Sequence, residues 1–260
     1  MGPATQTDPE PESTVPNAPN PTLRKFGAQK TLRYFSMSDT TPEIIIQLRR
    51  KWKPHKRYLS DHPTAIRFHR ACSWLDAALK VDRESSLDQV LILQWTAFNA
   101  LYGIWNPERN EALPDRQSWK DFLTHIFQID SDNNLGTIIA RNRTRILAIL
   151  ASDHLDRIYW NYVDSARPEP AAARPSMQRR AIMWFIEERW LTIAESVLDR
   201  VYLLRCQLIH GAATCGSGLN RDPLRDCTQL LDEVIPAILE VWIARGARED
   251  WGLLCYPPLQ

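Results

Sequence analysis

The stretch Val201-Tyr-Leu-Leu-Arg-Cys-Gln-Leu-Ile-His-Gly211 decides how the chain is read, because it sets an arginine and a histidine into an otherwise apolar helix end that stops at a glycine. Upstream, apolar residues recur at Ile182, Ile186, Trp190, Ile193, Val197, Val201, Leu204 and Leu208, in the steps of three and four that mark one face of an α-helix. This spacing predicts one uninterrupted helix from about Met177 to His210. Beside that face runs a second row, Leu191, Ala194, Leu198, Tyr202, Arg205 and Ile209, in which Arg205 takes a slot the pattern would give to a hydrophobe. A guanidinium facing packed surface must be paired or must hold an anion, since leaving it dry and alone costs several kcal/mol.

Gly211 can adopt the left-handed conformation that ends a helix, which places His210 in the last turn, at the negative end of the helix dipole. Imidazole is the side chain that gains and loses a proton near neutrality. A fixed cation and a titratable group at one helix end suit gripping a phosphate and moving a proton beside it. The structural alternative is an arginine paired with a neighbouring carboxylate and a histidine that satisfies the last carbonyls. Geometry adds a condition: residues five apart on a regular helix point about 140° from each other. Either the last turn unwinds or the pair works across a symmetric partner.

Arg205 and His210, with four residues between them, resemble the Arg-x4-6-His motif of the HEPN superfamily of all-helical proteins. A second stretch, Leu91-Ile-Leu-Gln-Trp-Thr-Ala-Phe-Asn-Ala-Leu-Tyr-Gly103, resembles the Trp-x-Ala-Phe-Asn-Ala-Leu-Tyr helix of bacterial HEPN proteins, including the Apea-like group. The resemblance covers roughly Asp61 to Ala244, with an insertion in the middle. It implies an all-α, HEPN-like bundle around two long antiparallel helices, 86–103 and 177–210, and a homodimer whose two Arg/His ends meet in one cleft. It also implies a metal-independent endoribonuclease without cofactor, acting on single-stranded RNA as a toxin or phage-defence effector, with an antitoxin or regulatory protein as a further partner. In that chemistry the RNA 2′-hydroxyl attacks its own phosphate, His210 shuttles the proton and Arg205 holds the charge that grows on the phosphorane oxygens.

The chain departs from the family pattern at Cys206, where active members usually carry Asn, Asp or His, and this bears on catalysis rather than on fold. Gln207 is the candidate for the missing polar contact, although it points about 100° further round. Ala212 stands where some HEPN toxins carry a tyrosine that a partner nucleotidyltransferase modifies, so that control is not expected. Asn99, an amide inside an aromatic run, must find polar partners, and it is expected to hydrogen-bond and orient the Arg205/His210 helix end. From a different class of function, a non-catalytic helical RNA-binding or dimerisation module accounts for the same residues.

Residues 1–39 read as a disordered Pro-rich tail, 40–60 as a short helix and basic segment, 61–245 as the helical domain with an insertion at about 107–176, and 246–260 as a C-terminal tail. The box Thr40-Thr-Pro-Glu43 opens the short helix. It runs into Arg49, Arg50, Lys51, Trp52, Lys53 and Arg57, cations beside aromatic rings of the kind single-stranded RNA binds; a solvated charged loop is the plainer reading. A second cluster, Arg141, Arg143 and Arg145, lies on a helix expected from Thr137 to about Leu150 and is either a phosphate-contacting patch or a solvated face.

Capping boxes are expected at Ser86/Gln89 and Ser118/Asp121, and Asp222-Pro223 is expected to cap a last helix that Pro236 kinks. Arg167 to Pro175 reads as an exposed connector. Asp130-Ser-Asp-Asn-Asn134 mimics a calcium loop but puts Leu135 where the turn glycine is needed and Arg141 where the bidentate glutamate would be, so no metal site is expected. His62 and His69 lack ligand spacing. Trp251, Leu253, Leu254 and Tyr256 could pack onto the body or onto a second subunit.

The net charge is +1, and the absence of Lys and Arg from residues 1–23 leaves the rest about four charges positive, a mild bias. Five cysteines form no Cys-x2-Cys pair, which fits reduced thiols. No apolar run approaches the roughly 18 residues that span a bilayer, and no signal pattern opens the chain, so a soluble, cytoplasmic protein with no membrane partner is expected. Without a Gly-rich phosphate loop, Gly-x-Ser-x-Gly or His-Glu-x-x-His, P-loop enzymes, α/β-hydrolases and zinc proteases fall away.

Overall fold

The computed structural model describes residue 2 and residues 42–160, 174–216, 218 and 220–257. The chain divides into Met1–Ser38 and Asp39–Gln260, and every helix described belongs to the second unit. The tail expected to be disordered, the threonines expected to cap the first helix and most of the Pro-rich connector lie outside the described residues.

The order is α1 (Pro42–Trp52), α2 (Pro63–Leu79), α3 (Leu87–Tyr102), α4 (Asp115–Ile129), α5 (Asn134–Arg141), α6 (Arg143–Ala151), α7 (Arg157–Trp160), α8 (Arg174–Ile186), α9 (Trp190–Ile209) and α10 (Arg221–Ala244). Between α3 and α4 lies a two-residue hairpin, β1 (Trp105–Asn106) paired antiparallel with β2 (Glu111–Ala112). The class is all-α, as the periodicity predicts, and no described helix is long and apolar enough to cross a membrane.

Burial on most of its circumference makes α3 the axis: Val90, Leu91, Gln94, Trp95, Ala97, Phe98, Leu101 and Tyr102 are all shielded. It packs chiefly on α2 and α10, and only lightly on α9. The expected pairing of 86–103 with 177–210 is therefore a minor joint, made through Trp95 and Tyr202, whose rings lie 5.6 Å apart. The one polar side chain deep in α3, Gln94, donates to Thr228 O at 3.0 Å and to Asp232 at 2.7 Å on α10. Burial raises the Asp232 carboxyl, and the Arg83 guanidinium that clasps both its oxygens at 2.6 Å works in the other direction.

The predicted helix 177–210 is two helices. α8 stops at Ile186, Glu188 takes a left-handed conformation with φ of 52°, and α9 begins at Trp190. The Arg189 N–H reaches Trp184 O at 2.8 Å and the Glu188 N–H reaches Phe185 O at 3.4 Å, the paired bonds of a Schellman ending. Nothing apolar occupies 187–189, so no burial opposes the bend, and it lets α8 lie against both α6 and α9. Glutamate is a poor residue for a left-handed position. Glu188→Gly is expected to raise the unfolding free energy by about 1 kcal/mol, read as a higher urea midpoint at unchanged m-value; a lower midpoint would show that the side chain holds the bend.

Other boundaries move for equally local reasons. Ser86 caps α3 by position but makes no side-chain cap bond, and Gly103 closes that helix at φ −59° rather than in the left-handed region. α4 starts at Asp115, so Ser118 lies inside it and its hydroxyl turns back to Pro114 O at 2.9 Å. The helix expected over 137–150 is broken at Asn142 into α5 and α6. α10 begins at Arg221 behind a left-handed Asn220 and carries Pro236 buried in its interior.

The C-terminal segment packs onto the body. Trp251 stacks on Trp242 at 4.4 Å, the Trp105 N–H bonds Leu253 O at 3.1 Å, and Ile104 bridges Leu254. What fixes the segment is Arg67, fully buried in α2, which donates to the carbonyls of Leu101, Gly103, Trp251, Gly252 and Leu253. Burial lowers its pKa to about 10, which leaves it charged at neutral pH. One turn on, Arg70 donates to Cys255 O at 3.0 Å and Tyr256 O at 2.7 Å.

Candidate functional site

The end of α9 forms as the glycine stop predicts. Gly211 has φ of +70°, its N–H bonds Leu208 O at 3.2 Å, and the Ala212 N–H bonds Gln207 O at 2.8 Å, a second Schellman ending. His210 is the capping residue; its backbone N–H donates to Cys206 O at 3.0 Å. Its ring is exposed and makes no hydrogen bond, ion pair or ring contact among the described residues.

Arg205 is half-buried and lines a cleft of about 510 Å³ walled by α2, α3, the hairpin, the start of α4, α9 and the C-terminal segment. Among the described residues no carboxylate lies within ion-pair distance of it. Its guanidinium sits 5.9 Å from the Tyr202 ring centroid, and Nη1 lies 4.0 Å from the Cys206 sulfur. Arg157 approaches the same ring at 5.8 Å and likewise has no carboxylate partner among the described residues. Two cations drawn to one tyrosine ring repel each other, and an anion bound beside them would relieve that repulsion.

The contrast with Arg200 on the same helix shows what a structural arginine looks like here. Arg200 is 6% exposed and donates to Leu155 O at 2.7 Å and to Asp156 at 2.8 Å. Burial acts to raise the Asp156 carboxyl, but the bonds from Arg200 and the Ile158 N–H outweigh it and leave it lowered. Arg205 has no such partner among the described residues.

Asn99 lines the same cleft, half-buried, but it makes no bond to Arg205 or to His210, and its amide has no side-chain hydrogen-bond partner among the described residues. The expected orienting bond is therefore absent. Gly103 leaves the room Asn99 needs: a Cβ there would sit 3.2 Å from both its Oδ1 and its carbonyl oxygen. Nearby, the Tyr102 hydroxyl donates to Asp115 at 2.6 Å, and burial first, then the Asp115 charge, pushes the Tyr102 pKa well up. Gln207 is engaged elsewhere, donating to His154 O at 2.9 Å, so it does not supply the polar contact that Cys206 lacks.

The structure thus brings Arg205 and Asn99 together and leaves His210 outside their cleft, exposed beyond it at the end of α9. Sequence reasoning passed over Asp115, Tyr102, Arg70 and Arg157 as site residues. No periodicity marks Arg157, but the hydroxyl of Tyr102 in a buried run was a legible demand for a partner.

The basic segments are largely engaged in the fold. Trp52 is buried, stacked on Phe68 at 4.5 Å, so it offers no face to a base. Lys51 bonds Glu240 at 2.6 Å, whereas Arg49, Arg50, Lys53 and Arg57 are exposed. Arg141 pairs with Glu233. Arg145 bonds Asn142 and Gln229 and lies 3.7 Å from Glu233, and Arg143 sits over the Phe185 ring at 5.5 Å. The phosphate-contact reading of Arg141 and Arg145 thus gives way to a structural one: α10 supplies their carboxylates.

Asp130 accepts from the Asn134 and Leu135 N–H groups, which is turn chemistry. Among the described residues no three His, Cys, Asp or Glu side chains are grouped to share a metal ion. A larger cavity of about 940 Å³, between the α1–α2 connection and the C-terminal segment, mixes Arg248 with Glu249 and Asp250. Its polar groups are partly engaged: His62 caps α2, and Glu249 bonds His125 at 3.0 Å.

No family model, no curated protein and no solved structure matches the chain. Its class, an all-helical protein with an arginine in a cleft that no carboxylate pairs among the described residues, rests on its own residues.

Proposed function

We propose that the protein is a metal-independent endoribonuclease of the HEPN type, acting as a homodimer on single-stranded RNA in the manner of a toxin or phage-defence effector. The observation that carries this reading is Arg205: a cation in an open cleft, unneutralised among the described residues, on the helix that ends in an exposed histidine. A phosphate oxygen is the ligand such a guanidinium recognises. The 2′-hydroxyl of the RNA gives its proton to His210 as O2′ bonds phosphorus, the P–O5′ bond breaks, and the departing O5′ takes a proton back from imidazole. Arg205 stabilises the extra negative charge of the phosphorane. Products are a 2′,3′-cyclic phosphate and a 5′-hydroxyl, and DNA, without the attacking hydroxyl, is not cut.

The second reading, a non-catalytic RNA-binding or interaction module, is favoured by the position of His210 outside the Arg205 cleft in a single chain. One assay separates the two. Single-stranded RNA incubated with the full chain in excess chelator is expected to yield fragments with cyclic phosphate ends and 5′-hydroxyl ends. Intact RNA retained in a complex with the protein would instead establish the binding module.

A further inference from the structure

We propose that the Arg205 cleft is a nucleotide-binding site that selects adenine, with Asn99 reading the base edge. The inference rests on the reading above only in taking the ligand of Arg205 to be a phosphate of RNA. A cleft of about 510 Å³ lies within the roughly 300–1,000 Å³ range of small-ligand sites. Its polar groups are unequal. Arg67 and Arg70 also line it, but their terminal nitrogens donate to main-chain carbonyls of the fold. Among the described residues Arg205 brings a cation with no carboxylate partner, only the Cys206 sulfur at 4.0 Å, and Asn99 an amide with no side-chain partner.

The amide offers a donor and an acceptor on one planar edge. Adenine presents the complement, an exocyclic N–H beside a ring nitrogen, and on the corresponding edge guanine presents two acceptors. Trp74, 43% exposed, and Tyr256, 69% exposed, line the cleft as aromatic surface, and a two-ring purine covers such surface better than a pyrimidine. Purine by stacking and, for a base held by its N6/N7 edge, adenine over guanine by donor pattern leave one base. Asp115, whose one described partner is the Tyr102 hydroxyl, retains an oxygen that can accept from a ribose hydroxyl.

The test is equilibrium dialysis of the full chain against AMP, GMP, CMP and UMP. AMP is expected to bind tightest. Asn99→Ala should lower AMP affinity about tenfold, the low end of the loss for a bidentate base contact, and leave GMP unchanged, whereas Arg205→Ala should weaken all four alike. Asn99→Leu, nearly isosteric, uncharged and without the polar pair, gives the same selective loss if the alanine variant folds poorly. Equal affinity for the four nucleotides, an Asn99 effect equal across them, or no binding of any would overturn the assignment. AMP selectivity in a protein that leaves RNA intact would sustain the adenine site while refuting the nuclease; cleavage with no nucleotide preference would do the reverse.

Discussion

Arg67→Ala is expected to destabilise the protein by about 3–5 kcal/mol, from buried carbonyls stranded at about 1–3 kcal/mol each and the cavity left behind. Arg67 gathers five carbonyls from two separate stretches, the end of α3 and the segment 251–253, with no accessible surface of its own. Removing the guanidinium strands those oxygens in a space that alanine cannot fill. The C-terminal segment is then held by the Trp242–Trp251 stack, two main-chain links to Ile104 and Trp105, and Arg70. Lysine is not a substitute, because a compact ammonium with three donors cannot span acceptors spread over two strands of backbone. Chemical denaturation should show the loss, and hydrogen exchange should show the Leu253-bonded Trp105 N–H becoming unprotected. An Arg67→Ala midpoint within error of wild type would contradict the role assigned to it.

The consequence reaches the cleft, since Leu254, Cys255 and Tyr256 form part of its wall. Arg67 was invisible as a site-former in the sequence. It sits at a buried position of an amphipathic helix, where an arginine reads as a break in the pattern, and its partners are main-chain carbonyls from residues far along the chain. No spacing rule reaches a contact of that kind. By contrast, the apolar rows of α3 and α9 are short-range patterns, and the helices appear where those rows lie. The glycine stop at Gly211 was legible for the same reason: its two hydrogen bonds close within five residues.

The break at Glu188 marks the limit of periodicity as a guide. Ile186 and Trp190 stand four apart, in register for a continuous helix, yet the chain turns between them. The tertiary packing of α8 on α6 outweighs a modest local strain, and the sequence of 187–189 contains no glycine to announce it. Arg141 and Arg145 failed differently. Their helices lie broadly where expected, but the carboxylates that pair with them belong to α10, and charge counting along one helix cannot see across to another. The candidate site shows both sides together: Arg205 and His210 stand out by pattern, but the fold brings only Arg205 into the cleft, and Asp115 and Arg157 came into view only with the fold.

Arg205→Ala and His210→Ala are each expected to cut RNA cleavage by about 10²–10⁴-fold, and a mixture of the two variants, refolded together, is expected to regain activity. Neither change should unfold the chain. Arg205 is half-buried, with Tyr202 and Cys206 beside its guanidinium and no ion pair among the described residues, and His210 is exposed at a helix end closed by main-chain bonds. The recovery follows from the geometry of one helix. Five residues advance about 7.5 Å along the axis and turn about 140°, so a phosphate held by Arg205 in its cleft does not meet His210 of the same chain. A second copy can present its own histidine to that phosphate. In a mixed dimer the His210 variant supplies Arg205 and the Arg205 variant supplies His210, and one complete pair forms between chains. If the pair instead worked within a single chain, every chain in the mixture would lack one member and the mixture would stay as inactive as its parts.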